Sequence, residues 1–152
     1  MKFKQLMFIT AITFGSLYAK AQSSPPNNIL AVQLQIIITK IGLPADSAAV
    51  YLNDFTKVES APAGETVYKS NADEVSIAFT RGASGAIGLI KIVMPKSMLS
   101  TAEKAIALMG MTHMDTPAPP GYTTYATPKY AAFLNPTMPN ETLSLVLVQG
   151  GN

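Results

Sequence analysis

The stretch at residues 85–110 constrains the fold of this chain most, because it combines a strand pattern, a break and a helix pattern. Residues 86–93 are mainly apolar and β-branched, which favours a strand. Pro95 interrupts that pattern, since proline cannot donate a backbone hydrogen bond to a continuing ladder. Residues 100–109 then place apolar side chains at helical spacing. The stretch predicts a strand followed by a helix.

The chain contains the same order of patterns once before. Residues 35–41 are β-branched, Pro44 breaks the run, and residues 45–57 show helical spacing. Further on, segments 61–68 and 118–125 are identical at five of eight positions. These matches predict an internal duplication.

The duplication would divide the chain into halves at residues 29–84 and 85–152, each β-α-β-β, followed by a final strand. The alternative is chance similarity, because Ala, Pro and Thr are common in this chain. The interval between the matched prolines also differs, 18 residues in the first half and 24 in the second.

Residues 29–41 fit two periods. As a strand they would place five apolar side chains on one face, namely Leu30, Val32, Leu34, Ile36 and Ile38. As a helix they would group Leu30, Leu34, Ile37, Ile38 and Ile41. The β-branched run at residues 36–39 favours the strand, and so does the comparison of the two halves.

Further short strands are predicted where apolar and β-branched residues alternate between turn signals, at residues 66–69, 74–79, 122–125, 129–134 and 142–149. The predicted class is α+β, a two-layer sandwich in which two helices cover one face of a mostly antiparallel sheet. If residues 66–69 and 122–125 are loops, the core reduces to a ferredoxin-like plait, βαββαβ.

The N-terminus has the pattern of a secretory signal peptide. Lys2 and Lys4 precede an apolar run at residues 6–17, and a small-x-small site ends at Ala21. The run is too short to span a membrane, which takes about 20 residues. We expect residues 1–21 to be removed, residues 22–28 to form a flexible leader, and residues 29–152 to form one α+β domain.

Charge and cysteine content limit the possible partners and locations. Without Lys2, Lys4 and Lys20, eight basic residues face nine acidic ones, so no basic cluster remains to bind nucleic acid. The chain has no cysteine, which excludes a lipid-modified N-terminus and favours a bacterial periplasmic or secreted protein over a disulfide-stabilised eukaryotic one. No membrane span is predicted in the mature chain.

The sequence offers little for catalysis, and we expect a protein that is not an enzyme and has no cofactor. His113 is the only histidine, and there is no cysteine for a nucleophile or a structural zinc site. Ser84 lies in a segment that resembles the G-x-S-x-G motif of a nucleophile elbow, but Ala86 stands where the motif needs its last glycine. A hairpin turn explains these glycines better.

Two clusters are candidate sites. Residues 109–115 combine soft thioethers with an imidazole, and copper is the metal that this ligand set favours, through Met109, Met111, His113 and Met114. The alternative is that Met109 fills the core and the others cover the base of a loop.

The second cluster comprises three tyrosines, Tyr122, Tyr125 and Tyr130, beside a proline-rich loop at residues 117–121. Exposed tyrosines provide contact area for a protein or glycan partner, whereas cross-strand packing is the structural alternative. The leading prediction is a secreted, non-catalytic binding module of unknown ligand. The alternative is a periplasmic copper-handling protein.

Overall fold

The computed structural model describes residues 25–150 of the chain, and these form an α+β fold with one eight-stranded antiparallel sheet and three helices. The helices are α1 (Asn28–Ile38), α2 (Asp46–Ala49) and α3 (Leu99–Leu108), the last preceded by a 3-10 turn at Lys96–Met98. The strands are β1 (Phe55–Val58), β2 (Glu65–Ser70), β3 (Ser76–Arg81), β4 (Ile87–Pro95), β5 (Thr112–Met114), β6 (Thr123–Ala126), β7 (Tyr130–Met138) and β8 (Thr142–Gln149).

The order of the strands in the sheet is β1-β2-β3-β4-β8-β7-β6-β5, and every neighbouring pair is antiparallel. Strands β4 and β8 therefore meet at the centre, while β1 and β5 form the edges. From either edge, the strands follow chain order towards the centre. Each half of the chain contributes a helical segment followed by four consecutive strands.

The hydrophobic core combines the buried sides of α1 and α3 with alternate residues of the strands. At its centre, Ile92 of β4 pairs with Leu145 of β8, and both are fully buried. Leu34 and Ile37 of α1 and Ala105 of α3 belong to the same core. Because these residues come from both halves, neither half has a complete core of its own.

The strand predicted at residues 29–41 is wrong, since α1 occupies most of this segment. The buried residues of α1 include Leu30, Leu34, Ile37 and Ile38, the set that helical spacing groups together. Asn27 caps the helix, with its side chain accepting a hydrogen bond from the Leu30 N–H at 3.0 Å. Burial of this face outweighs the modest strand preference of the β-branched run.

The helix predicted at residues 45–57 is also wrong beyond its first turn. Only Asp46–Ala49 is helical, and Phe55 begins β1. Strand β1 pairs with β2, so Phe55 lies opposite Ser70 and Val58 lies opposite Val67. Pairing with β2 supplies backbone hydrogen bonds that a helix would otherwise provide.

The predicted β-α-β-β order needs correction as well. The first half begins with helices α1 and α2, and β1–β4 follow them as four consecutive strands. The division into half-repeats at residue 85 stays a prediction. The reduced plait is wrong, because residues 65–70 and 123–126 are strands. Strand β5 is not among the predicted strands; it is three exposed residues at the edge of the sheet, without an apolar alternation.

Several predicted elements are confirmed. Strand β4 and helix α3 follow one another as the stretch at residues 85–110 predicts. The glycine-rich segment before β4 is a hairpin turn, in which the Gly85 N–H donates to the Gly82 carbonyl at 2.9 Å. The strand predicted at residues 142–149 is also confirmed; Leu143, Leu145 and Leu147 are fully buried on its core face, and Ser144, in the other phase, is fully buried as well.

The matched segments 61–68 and 118–125 occupy corresponding places in the two halves. Each leads into the second strand of its half, β2 or β6. Gly64 and Gly121, which match in sequence, both have left-handed backbone conformations, with φ of 82° and 83°. The local similarity in sequence is therefore accompanied by a local similarity in conformation.

The predicted signal peptide at residues 1–21 and the leader residues 22–24 lie outside the described residues. Of the predicted leader, Asn27 belongs to the folded domain, because its N–H donates to Thr101 Oγ1 at 2.9 Å. Asn28 is the first residue of α1, so the domain begins before the predicted start at Ile29. Between residues 25 and 150, no helix has the length and apolar character needed to cross a membrane.

Candidate binding surface

The sheet has a core face, which holds most of the buried side chains, and a second face with the alternate side chains of each strand. One row on this second face runs, by cross-strand pairing, through Ala78, Lys91, Val146, Phe133 and Thr124. Thr124 is buried, Lys91 is exposed, and the other three are half-buried. Val146 is thus flanked by an exposed lysine on one side and an aromatic ring on the other.

The two halves of the second face differ in charge. On β1–β4 it includes Glu65, Lys69 and Lys91, as the register of β2, β3 and β4 shows. On β5–β8, the second face has no charged side chain among the described residues; it consists of Thr112, Met114, Thr124, Ala126, Ala131, Phe133, Asn135, Met138, Thr142, Ser144, Val146 and Val148. We call this second part the uncharged face.

A groove of about 280 Å³ opens on the uncharged face. Pro119, Tyr122, Phe133 and Val146 line it. Phe133 and Val146 are cross-strand partners on β7 and β8, while Pro119 and Tyr122 belong to the loop that precedes β6. The Tyr122 N–H donates to the Pro119 carbonyl at 3.0 Å, which closes a turn at this edge of the groove.

Gly121 allows this loop to approach β7 closely. A Cβ atom at this position would lie 3.2 Å from Asn135 Nδ2 and 3.3 Å from Thr137 Oγ1. Its φ of 83° is also one that side chains with a Cβ rarely adopt. Glycine therefore satisfies two separate requirements here, the lack of space for a Cβ atom and the positive φ. The close approach of the loop to β7 places Tyr122 beside Phe133.

Two buried hydroxyl groups next to the groove have no hydrogen-bond partner among residues 25–150: Thr124 Oγ1 and Ser144 Oγ. Thr124 lies opposite Phe133, and Ser144 precedes Val146 by two residues on the same face. Asn135, opposite Ser144, accepts hydrogen bonds from the Thr137 N–H and Oγ1, both at 2.9 Å. The two hydroxyls are therefore the unsatisfied polar groups of this region.

The structure separates the three predicted tyrosines. Tyr122 lines the groove, whereas Tyr125 and Tyr130 pack against the hydrophobic core. Tyr125 lies opposite Ala132 and makes an edge-on contact with the His113 ring, with centroids 5.8 Å apart. Tyr125 and Tyr130 therefore have the surroundings expected from cross-strand packing, which is the structural alternative to a partner-binding surface.

The four predicted copper ligands do not converge on one point. Met109 packs against the core, and Met111 is buried with 7% exposure. His113 and Met114 are successive residues of β5, so their side chains point to opposite faces of the sheet. The nearest carboxylate to His113 Nδ1 is Asp115 Oδ1 at 3.5 Å. Copper binding stays a prediction, without an assembled set of ligands.

Three of the four residues that line the groove were not predicted as site residues. The sequence of β8 does contain a signal for this surface. Val146 and Val148 are apolar, although they alternate with the buried leucines and so lie on the opposite face of the strand. A strand with only one face in the core usually has polar residues in the other phase. Apolar residues in both phases indicate that the second face is also used for contact.

Protein-family models, curated proteins and solved structures were compared with this chain, and none matches.

The chemistry of the groove limits what it can do. Its four lining residues include no carboxylate, amine or imidazole. It offers a mainly apolar contact surface that includes the one phenol of Tyr122.

Proposed function

We propose that this chain is a secreted or periplasmic, non-catalytic binding module that takes an apolar group of its ligand into the groove on the uncharged face. The observation that supports this most is the position of an apolar groove in a region without charged side chains. Concave apolar surfaces with few polar groups are the usual form of ligand sites.

We further infer that the fold is a two-layer sandwich with an internal duplication. Helices α1 and α3 share one core with the core face of the sheet, which supports the two layers. This arrangement leaves the second face for contact with a ligand. The symmetric strand order and the matching conformations of Gly64 and Gly121 support the duplication. Each repeat would then comprise a helical segment and four strands.

The size of the groove suits one side chain or a short hydrocarbon chain. Its volume of about 280 Å³ is just below the range of about 300–1,000 Å³ that is typical of small-molecule sites. Burial of a single leucine or phenylalanine side chain contributes about 1.5–3 kcal/mol. A groove of this kind would therefore serve as an anchor point within a larger contact.

Binding in the groove can be tested with fragments that mimic apolar side chains. In an NMR titration with indole and with 3-methylbutanol, we expect the amide signals of Tyr122, Phe133 and Val146 to shift. In Val146→Glu these shifts should be lost, because a carboxylate in the groove must be desolvated when the fragment binds.

Val67→Glu is the matched control, since Val67 is a half-buried residue on the second face of β2, three strands from Val146. It should leave the fragment shifts in place. Shifts that are scattered over the molecule, or that persist in Val146→Glu, would contradict the proposed function. Circular dichroism of both variants ensures that only folded proteins are compared.

Secretion is supported by the N-terminal pattern of Lys2, Lys4 and the apolar run that follows. The intact mass of the protein after expression with its full N-terminus tests this part of the proposal. Cleavage after Ala21 is the expected result. A mass that includes residues 1–21 would contradict it.

A further inference from the structure

We propose that the ligand is an anionic amphiphile, an acyl chain with a carboxylate head, whose tail enters the groove and whose head pairs with Lys91. This inference rests on the proposed function, because it assigns the chemistry of the ligand to the same groove. It uses one cation that lies outside the groove but next to it.

The sheet register places Lys91 next to the groove. Lys91 on β4 pairs with Val146 on β8, and Val146 in turn pairs with Phe133 on β7. All three side chains are on the second face, so the cation, the aliphatic side chain and the aromatic ring follow one another in a line. Neighbouring strands are about 4.8 Å apart, so the line from Lys91 to Phe133 spans about 10 Å.

Lys91 is available for a ligand. Its side chain is exposed, and it forms no ion pair within the described part of the chain. On its own strand its second-face neighbours are Leu89 and Val93, both half-buried and apolar. The lysine is therefore a single cation in apolar surroundings, where the aliphatic part of its side chain covers apolar surface and the ammonium group reaches solvent.

The charges of this face favour an anion over a cation. Lys69 is a second positive charge on the second face, two strands from Lys91, while Glu65 is the negative charge on the same strand as Lys69. Glu65 pairs with Thr80 and is not in the row of Lys91. A carboxylate head would pair with Lys91, and no negative side chain lies in that row to oppose it. An ammonium head would be repelled by Lys91.

The test compares three probes with a common tail: octanoate, 1-octanol and octylammonium, each below the concentration at which it forms micelles. Binding is followed by NMR at Phe133 and Val146. At low ionic strength we expect octanoate to bind about two- to fivefold more tightly than 1-octanol, the range for an exposed ion pair. Octylammonium should bind more weakly than either, and the advantage of octanoate should decrease with added salt.

Lys91→Gln should remove the advantage of octanoate over 1-octanol and leave the binding of 1-octanol unchanged. Lys69→Gln is the matched control: it removes a lysine from the same face but from a different row, and it should retain the advantage. Because both lysines are exposed, neither change should impair folding.

The outcomes separate the two proposals. Equal binding of octanoate and 1-octanol, or an advantage that survives in Lys91→Gln, would overturn the assignment of the carboxylate and leave the groove as an apolar site. Absence of binding by all three probes at Phe133 and Val146 would overturn the proposed function together with this inference.

Discussion

The second face of β1–β4 and the second face of β5–β8 occupy corresponding places in the strand order, yet they differ in chemistry. The first includes Glu65, Lys69 and Lys91, whereas the second has no charged side chain among the described residues. Both halves contribute residues to the same core. The first half shows that this fold tolerates charges on its second face, so the absence of charge on the other half is not a requirement of folding.

The comparison also shows where the boundary lies. Lys91 of β4 and Val146 of β8 are cross-strand partners at the centre of the sheet. A charged surface therefore changes to an uncharged one across a single pair of strands. This boundary is the place where an amphiphile could use both kinds of surface, its head on one side and its tail on the other.

The largest expected effect concerns the core face, where the halves should behave alike. Ile92→Ala and Leu145→Ala each remove a fully buried side chain from the central strand pair. Each should lower the free energy of unfolding by about 2–5 kcal/mol, because lost burial and the remaining cavity both destabilise the protein. Urea unfolding measures these losses. If one variant kept wild-type stability, the two halves would not share a single core.

A second prediction compares the two matched glycines. Gly64→Ala should cost about 1 kcal/mol, because a left-handed conformation is strained for alanine but no atom obstructs the new Cβ. Gly121→Ala should cost about 2–3 kcal/mol, since the same strain is joined by a contact with Asn135 at 3.2 Å. Thermal unfolding of both variants provides the comparison. Equal losses would show that the loop at Gly121 does not depend on its close approach to β7.

A third prediction concerns the buried hydroxyls. Thr124→Val and Ser144→Ala should each raise the free energy of unfolding by about 1 kcal/mol, because a buried hydroxyl without a partner carries a desolvation penalty. Ser76→Ala on the second face of the first half is the control. Ser76 is half-buried, and its removal should change stability by less than about 0.5 kcal/mol. Destabilisation by Thr124→Val or Ser144→Ala would mean that the hydroxyl has a partner in solution.

The sequence predicts those parts of the fold that depend on local patterns. Strand β8 has leucine at every second position, helix α3 has a clear helical spacing, and the glycines around Gly85 indicate a turn. Helix α1 could not be predicted in the same way, because its apolar residues satisfy both periods. Its assignment depends on which side chains are buried by α3 and the sheet, and that is long-range information.

The groove was only partly predictable for the same reason. Tyr122 is noticeable beside a proline-rich loop, but Phe133 and Val146 become its neighbours only through the register of β6, β7 and β8. Tyr125 and Tyr130 resemble Tyr122 in sequence and yet pack against the core. Tyr125 and Tyr130 lie on the core face because of their phase in β6 and β7, whereas Tyr122 belongs to the loop before β6, and composition reveals neither placement.

The smallest expected effect is a dependence of stability on alkaline pH that belongs to the first half. Burial raises the pKa of the Tyr68 phenol above its usual value of 10.0, and the negative charge of Asp46 raises it further. Between about pH 10 and the raised pKa, the unfolded chain loses this proton while the folded chain retains it. The contribution of Tyr68 to stability is therefore complete below about pH 10 and decreases as the pH rises through the folded pKa.

Urea unfolding of wild type and Tyr68→Phe at several alkaline pH values isolates this contribution, because the other tyrosines and the lysines titrate in both proteins. The wild type should lose stability more steeply than Tyr68→Phe. Asp46→Asn should reduce the difference only in part, since burial is the larger cause of the raised pKa. Parallel curves for wild type and Tyr68→Phe would mean that the phenol is hydrated in the folded protein. A complete loss of the difference in Asp46→Asn would instead assign the raised pKa to charge and not to burial.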